Sequence, residues 1–227
     1  LEESATISHA LANAAPSVAE YRTRAGEIQA ELGDYNKARA EWEQLVPIAS
    51  GDEEAYLDTA TIYWDYFQYD DALRTIETLR RRVNDPTLYA FQAAVIREDK
   101  HQPREALAEY IKALANSEYD DSDVARARRR LVTLSRRPGA HEQIVAAFKR
   151  ERSRNHKWEL VWQYADYLDD AGRWPQASSL LRDEVSRSDS VSFLRHARGL
   201  FETKEETVGQ VAALNRLIVT ANSQRLA

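Results

Sequence analysis

The chain has 227 residues, 43% of them apolar and 30% charged, with 7 Gly, 6 Pro and a formal net charge of −6. That balance fits a folded helical protein and excludes collagen-like and low-complexity classes. The absence of Cys removes disulfides, thiolate metal sites and a cysteine nucleophile. No apolar run reaches bilayer length, so no membrane insertion is expected, and the acidic balance argues against nucleic acid as a general partner.

In chain order, residues 1–18 read as the second helix of an interrupted repeat. Stepping back 34 from Tyr35, Trp42 and Leu45 gives Leu1, Ser8 and Leu11. Leu1, Ile7 and Leu11 are expected to pack on the unit that follows, and the array to continue upstream. Ser17 and Glu20, spaced as a capping box, open the unit 19–52. Gly33-Asp34-Tyr35 reads as a tight helix–helix turn. Gly permits the left-handed backbone that ends a helix, and Asp34 can cap the next one. Tyr35, Ala38, Trp42 and Leu45 then recur at spacings of 3, 4 and 3, one face of a helix.

Ser50 and Glu53 repeat the capping box for a unit at 53–86, and Asp85-Pro86 opens another at 87–120. Asp120-Asp121-Ser122 opens 121–157, a degenerate unit with a poor turn at Arg136-Arg137-Pro138-Gly139 and three inserted residues. Units at 158–191 and 192–225 follow, the first marked by Gly172, Trp174, Ala177 and Leu181, the second by Gly199, Val208, Val211 and Ile218. Pro47 closes a helix, and Pro103 and Pro175 open second helices. Within the second complete unit, Tyr56, Ala60, Tyr63 and Phe67 form one expected core face, and Ala72, Ile76, Leu79 and Val83 the other.

A step of 34 carries Tyr35 to Tyr69, Ala38 to Ala72 and Ala106, Trp42 to Ile76 and Tyr110, and Gly26 to Ala60 and Ala94. A helix–turn–helix period of this length marks a repeat solenoid. The pattern resembles the tetratricopeptide repeat family. Its Leu-Gly, Gly-Asp-Tyr, Ala and aromatic places are matched by Gly26, Gly33, Asp34, Tyr35, Ala38 and Trp42, then by Ala60, Tyr63, Tyr69, Ala72 and Ile76. Phe67 stands where the family keeps its turn glycine. The resemblance implies an all-α fold: one α-solenoid of about six such repeats in a right-handed superhelix, whose first helices line a concave inner face.

On that face the resemblance places Leu57, Thr61 and Trp64, then Leu88, Phe91 and Val95, and later Trp162. The expected groove has apolar pockets at Trp64, Phe91 and Trp162. Asp65, Glu98, Asp99, Asp166 and Asp169 edge it, and no basic partner is evident for Asp166, Asp169 and Asp170. Aromatic anchors in a concavity suit a bound peptide or partner helix. One subfamily clamps a terminal carboxylate with Lys and Asn, but Thr23, Leu57, Phe91, Glu27, Thr61 and Val95 hold those places, so that clamp is absent.

A second candidate is charge. From Arg126 to Lys157 there are 11 basic and 2 acidic residues. Arg126, Arg129, Arg130, Arg136 and Arg137 form the expected basic patch, which suits nucleic acid or another acidic ligand. His9, His101, His141, His156 and His196 show no metal-binding spacing, and no phosphate loop or nucleophile motif occurs. Neither a catalytic residue nor a cofactor is expected. Three readings stand: a non-catalytic scaffold for a protein or peptide, a basic-surface binder, and a self-assembly module of a larger repeat protein, of bacterial style and placed in cytoplasm or periplasm.

Overall fold

The computed structural model of the chain describes residues 2–49, 52–115, 121–155 and 157–225. These hold fourteen helical segments and no strand. None of the helices is long and apolar enough to cross a membrane. The chain divides into two compact units, Leu1–Gln102 and Pro103–Ala227. The first contains α1 (Glu2–Ala14), α2 (Ala19–Glu31), α3 (Tyr35–Trp42), α4 (Leu45–Ile48), α5 (Glu53–Asp65), α6 (Tyr69–Val83) and α7 (Ala90–Asp99). The second contains α8 (Pro103–Ala115), α9 (Asp121–Leu134), α10 (Ala140–Arg154), α11 (Trp158–Asp170), α12 (Trp174–Val185), α13 (Val191–Thr203) and α14 (Thr207–Arg225).

One turn geometry recurs five times, centred on Gly33 (φ 82°), Phe67 (φ 60°), His101 (φ 60°), Gly172 (φ 71°) and Glu205 (φ 55°). At the first, the N–H of Gly33 donates to Ala30 O and that of Asp34 to Gln29 O, both at 2.9 Å. The same pair of bonds forms at Phe67 and Gln68, His101 and Gln102, Gly172 and Arg173, and Glu205 and Glu206. This is a Schellman closure, which satisfies the last carbonyls of the helix. The backbone thus keeps the 34-residue step from position 33 to 67 to 101, although glycine remains only at the first. After the first turn, Asp34 caps α3 as expected, accepting from Lys37 N at 3.2 Å.

Short turns of this kind return the chain, so α2 packs on α3, α5 on α6, α11 on α12 and α13 on α14. After the first four of these turns, the fifth position counted from the left-handed residue is Ala38, Ala72, Ala106 or Ala177, each at most 1% exposed, whereas after Glu205 it is half-buried Gln210. The ninth is Trp42, Ile76, Tyr110 or Leu181, equally buried. The Trp42 indole lies against Gly26 so closely that a Cβ there would stand 2.1 Å from Trp42 Nε1. The indole N–H donates to Thr23 O at 3.2 Å. At the equivalent places 34 residues on, Ala60 and Ile76 share the same core. A larger residue on one helix is matched by a smaller one on its mate.

Several sequence expectations are corrected. Ile7 and Leu11 are 54% and 46% exposed, while Ala5 and Ala12 are the buried positions of α1. Ala5 and Ala12 align with Ala38 and Leu45 at a step of 33, not 34, and one residue turns a helix face by about 100°. Ser17 is not the cap of α2: the capping position is Val18, without a side-chain bond. Pro47 lies inside α4, and its missing N–H and ring break the helix at Glu43–Gln44, just behind it. Asp85 folds back on Thr87 N and Oγ1, both at 2.7 Å, so α7 starts only at Ala90. Phe67 and Val83 are 73% and 37% exposed, outside the core. The residues that mark the last unit, Val208, Val211 and Ile218, stand at 70%, 49% and 58% exposure. Leu1, Ser50 and Asp120, to which the sequence assigns packing or capping roles, lie outside the described residues.

Two stability changes are expected. Gly26→Ala should cost about 1–3 kcal/mol by overpacking, despite Ala's better helix propensity, and adding Trp42→Ile should recover part of it. Phe67→Gly should raise stability by about 1 kcal/mol by relieving a left-handed residue with little packing to lose. Urea denaturation of the variants checks both.

Candidate functional site

On α5, Leu57, Thr61 and Trp64 share one stripe, as their spacing dictates. Thr61 is exposed and turns its hydroxyl back onto Leu57 O at 2.9 Å. Leu57 and Trp64 are half-buried. The Trp64 ring packs against the core cluster of Ala60, Tyr63 and Ile96. Its indole N–H donates to Asp99 Oδ2 at 2.8 Å, tying α5 to α7. Val95 of α7 is half-buried, whereas Phe91 is only 8% exposed. Phe91 sits in the first turn of α7, where its ring serves packing and offers little surface to a partner.

Carboxylates influence two tyrosines of this unit, with Arg24 opposing them at Tyr66. The Tyr66 phenol is pushed above its usual range by burial first, then by Glu27, Glu31 and Asp65. Tyr89 is raised by burial, then by Glu53, Glu54, Asp52 and Asp58. The unit Leu1–Gln102 carries 19 acids against 10 Lys and Arg, a net −9. The unit Pro103–Ala227 carries 18 against 21, a net +3.

The acids around Trp162 turn out to be paired. Asp166 accepts from Arg128 at 2.9 Å and lies 2.9 Å from His196 Nε2. Asp170 meets Arg128 at 2.9 Å, and Asp169 meets Lys204 at 2.6 Å. The Trp162 ring lies 5.2 Å from the His196 ring. Half-buried Trp162 is therefore embedded in a charge network joining α9, α11 and α13.

A recurring pairing was also missed from sequence. His9 with Glu41, Arg39 with Asp71 and Arg152 with Glu184 are all 32 residues apart. The separation matches one repeat less about half a helical turn, a signal visible only once the period is known. Glu41 and Asp71 are 6% and 4% exposed, so each needs its partner. A cavity of about 760 Å³ opens above Glu41, lined by Ala5, Gln29 and Lys37. Its floor is saturated, because Glu41 is held by His9 and Arg22, both at 2.5 Å.

Of the basic patch, Arg126 pairs with Asp123 at 2.9 Å and Arg130 is half-buried. Arg128 and Arg152 point into the ion pairs above. Arg129, Arg136 and Arg137 are exposed, as are Lys149, Arg150, Arg154 and Lys157, and none of these seven forms an ion pair among the described residues. Among those residues no three His, Asp or Glu side chains gather in a metal-binding group.

His141 is 7% exposed, with Nδ1 2.9 Å from the Tyr167 hydroxyl. Burial, followed by the Arg173 charge, holds its pKa below the usual 6.5. Burial pushes Tyr167 up to about 12. Comparison with family models and with curated proteins finds no match.

Two outcomes are expected. Because the folded pKa of His141 is depressed, its contribution to stability is complete above 6.5 and is lost as pH falls through the folded value. His141→Gln should flatten that acid limb in melting curves taken across the range. Asp71→Ala should cost about 1.5–3 kcal/mol, because it removes a buried carboxylate that receives charged hydrogen bonds from Arg39 and Arg74.

Proposed function

We propose that the chain is a tetratricopeptide-like α-solenoid acting as a non-catalytic scaffold, which captures a peptide or helix on the inner face of its first helices. The observation that carries this is the stripe Leu57, Thr61 and Trp64, partly open to solvent, with the indole oriented by Asp99. An aromatic side chain held in one orientation loses little entropy on binding and makes a good anchor. Exposed Asp58 and Asp65, next in the chain to Leu57 and Trp64, and the net −9 of the unit Leu1–Gln102 favour a cationic partner: an amphipathic segment with Lys or Arg beside its apolar residues. Phe91 is buried and Trp162 lies within an ion-pair network, so the contact centres on α5.

A peptide-display selection against the chain tests this. Enriched sequences should combine apolar anchors with basic residues. Trp64→Ala should weaken their binding about tenfold or more while helix content holds, the cost of losing a hot-spot side chain. Binding indifferent to Leu57 and Trp64, or enrichment of acidic sequences, would contradict the reading.

A second reading rests on the seven exposed cations of α9, α10 and their flanks. They suit a polyanion. Affinity for single-stranded nucleic acid that falls steeply with salt, and falls further in an Arg129→Glu, Arg136→Glu variant, would favour it.

A further inference from the structure

We propose that the cleft formed by α5, α6 and the break between α3 and α4 binds a primary alkylammonium group, with the Glu43 carboxylate and the Tyr63 hydroxyl as its main acceptors. This goes beyond the peptide-binding reading and is independent of it. On α5 the cleft uses Tyr56, Thr59 and Tyr63, a different stripe from Leu57, Thr61 and Trp64.

The first observation is an uncommitted polar group on a buried side chain. Tyr63 is 3% exposed, and its ring meets Trp42 edge-on. Its hydroxyl nevertheless forms no hydrogen bond among the described residues. A polar atom on so buried a side chain calls for a partner, because leaving it unsatisfied costs free energy. Tyr63 borders a cavity of about 230 Å³. Exposed Glu43 borders the same cavity, and its carboxylate forms no ion pair among the described residues.

The second observation is the balance of donors and acceptors. Thr59, Thr75 and Thr78 also line the cavity, and a threonine hydroxyl has one proton to donate. Each has donated it already, to Ala55 O at 2.7 Å, Asp71 O at 2.9 Å and Arg74 O at 2.8 Å. Lone pairs are what these hydroxyls have left. Arg74 is drawn to Asp71, which also accepts from Arg39 Nε at 2.9 Å. Acceptors prevail along the cavity wall, so the ligand it suits is itself a donor.

The third observation gives the ligand its charge and size. After burial, Glu43 and then Asp71 do most to hold the Tyr63 phenol above its ordinary pKa, and Arg39 and Arg74 oppose them more weakly. The potential at the hydroxyl therefore favours a cation. The Tyr56 ring, also on the wall, already holds one: the Arg82 guanidinium stands 5.9 Å from its centre. Glu43, Tyr63 and the threonines belong to different elements. That suits the diverging N–H bonds of an ammonium better than the planar fork of a guanidinium. Drug-sized ligands fill about 300–1,000 Å³, so this cavity takes a short alkyl chain, for which Val46 and Pro47 supply apolar lining.

Isothermal titration of the intact chain with n-butylammonium chloride, at fixed ionic strength, tests the proposal. Binding should saturate with a Kd on the order of 1 mM, as expected for so small a ligand. The neutral isostere n-butanol should bind about tenfold more weakly or less. Tyr63→Phe keeps the buried ring and Glu43→Gln keeps the side-chain shape, so both should melt like the parent. Each should weaken binding about fivefold or more, the loss of one charged hydrogen bond. Glu31→Gln, at an exposed acid of the same unit outside the cleft, should leave binding unchanged. Tighter binding of Nα-acetyl-lysinamide than of butylammonium would support the proposal with a partner's lysine as the source, and the reverse would support it with a free amine. Four results would overturn it: no saturable binding, n-butanol binding as well as the amine, methylguanidinium binding more tightly, or both cleft variants having no more effect than Glu31→Gln.

Discussion

The close approach of paired helices at a small side chain governs what this chain can build. Ala38, Ala72 and Ala177 sit in the first turns of α3, α6 and α12, directly after left-handed turns, and each is fully buried. A methyl fills the contact at these places, and buried interiors leave little slack around it, while α14 carries half-buried Gln210 at the same count. Once contact is fixed there, the ninth position must fill what remains, and the volume available depends on the opposite residue. Gly26 admits the Trp42 indole, and Ala60 goes with Ile76. The backbone turn is the other half of the constraint, holding its geometry at Phe67, His101 and Glu205 against their intrinsic preference.

Aromatic and polar contacts together connect successive pairs. Trp42 meets the Tyr63 and Tyr66 rings of α5 at 5.4 and 5.1 Å, so the core of one helix pair is completed by the next. Arg39 reaches from α3 to Asp71 on α6, and Arg152 from α10 to Glu184 on α12. A carboxylate buried without its cation would be costly, which makes these pairs a check on register as much as a source of stability.

The all-helical fold, the Asp34 cap and the buried Ala and Leu positions were legible because each depends on local spacing. What was misread depends on offsets that spacing alone does not give. Ala5 and Ala12 replace Ile7 and Leu11 because α1 is displaced by one residue. Phe67 looked like core by periodicity, but its position is that of the turn residue. Asp166, Asp169 and Asp170 looked like free groove acids because Arg128 and Lys204 lie more than thirty residues away in sequence. Trp64 on its half-open stripe was legible, whereas its anchoring partner Asp99 was read only as an edge charge.

If each helix pair is completed by its neighbour, damage should stay local. Native-state hydrogen exchange on the intact Trp42→Ala variant is the most direct measurement. Protection should fall in α2, α3, α5 and α6, which share the core around Trp42, and hold in α11 to α14. An equal loss of protection across every helix would show a single cooperative interior and contradict the account.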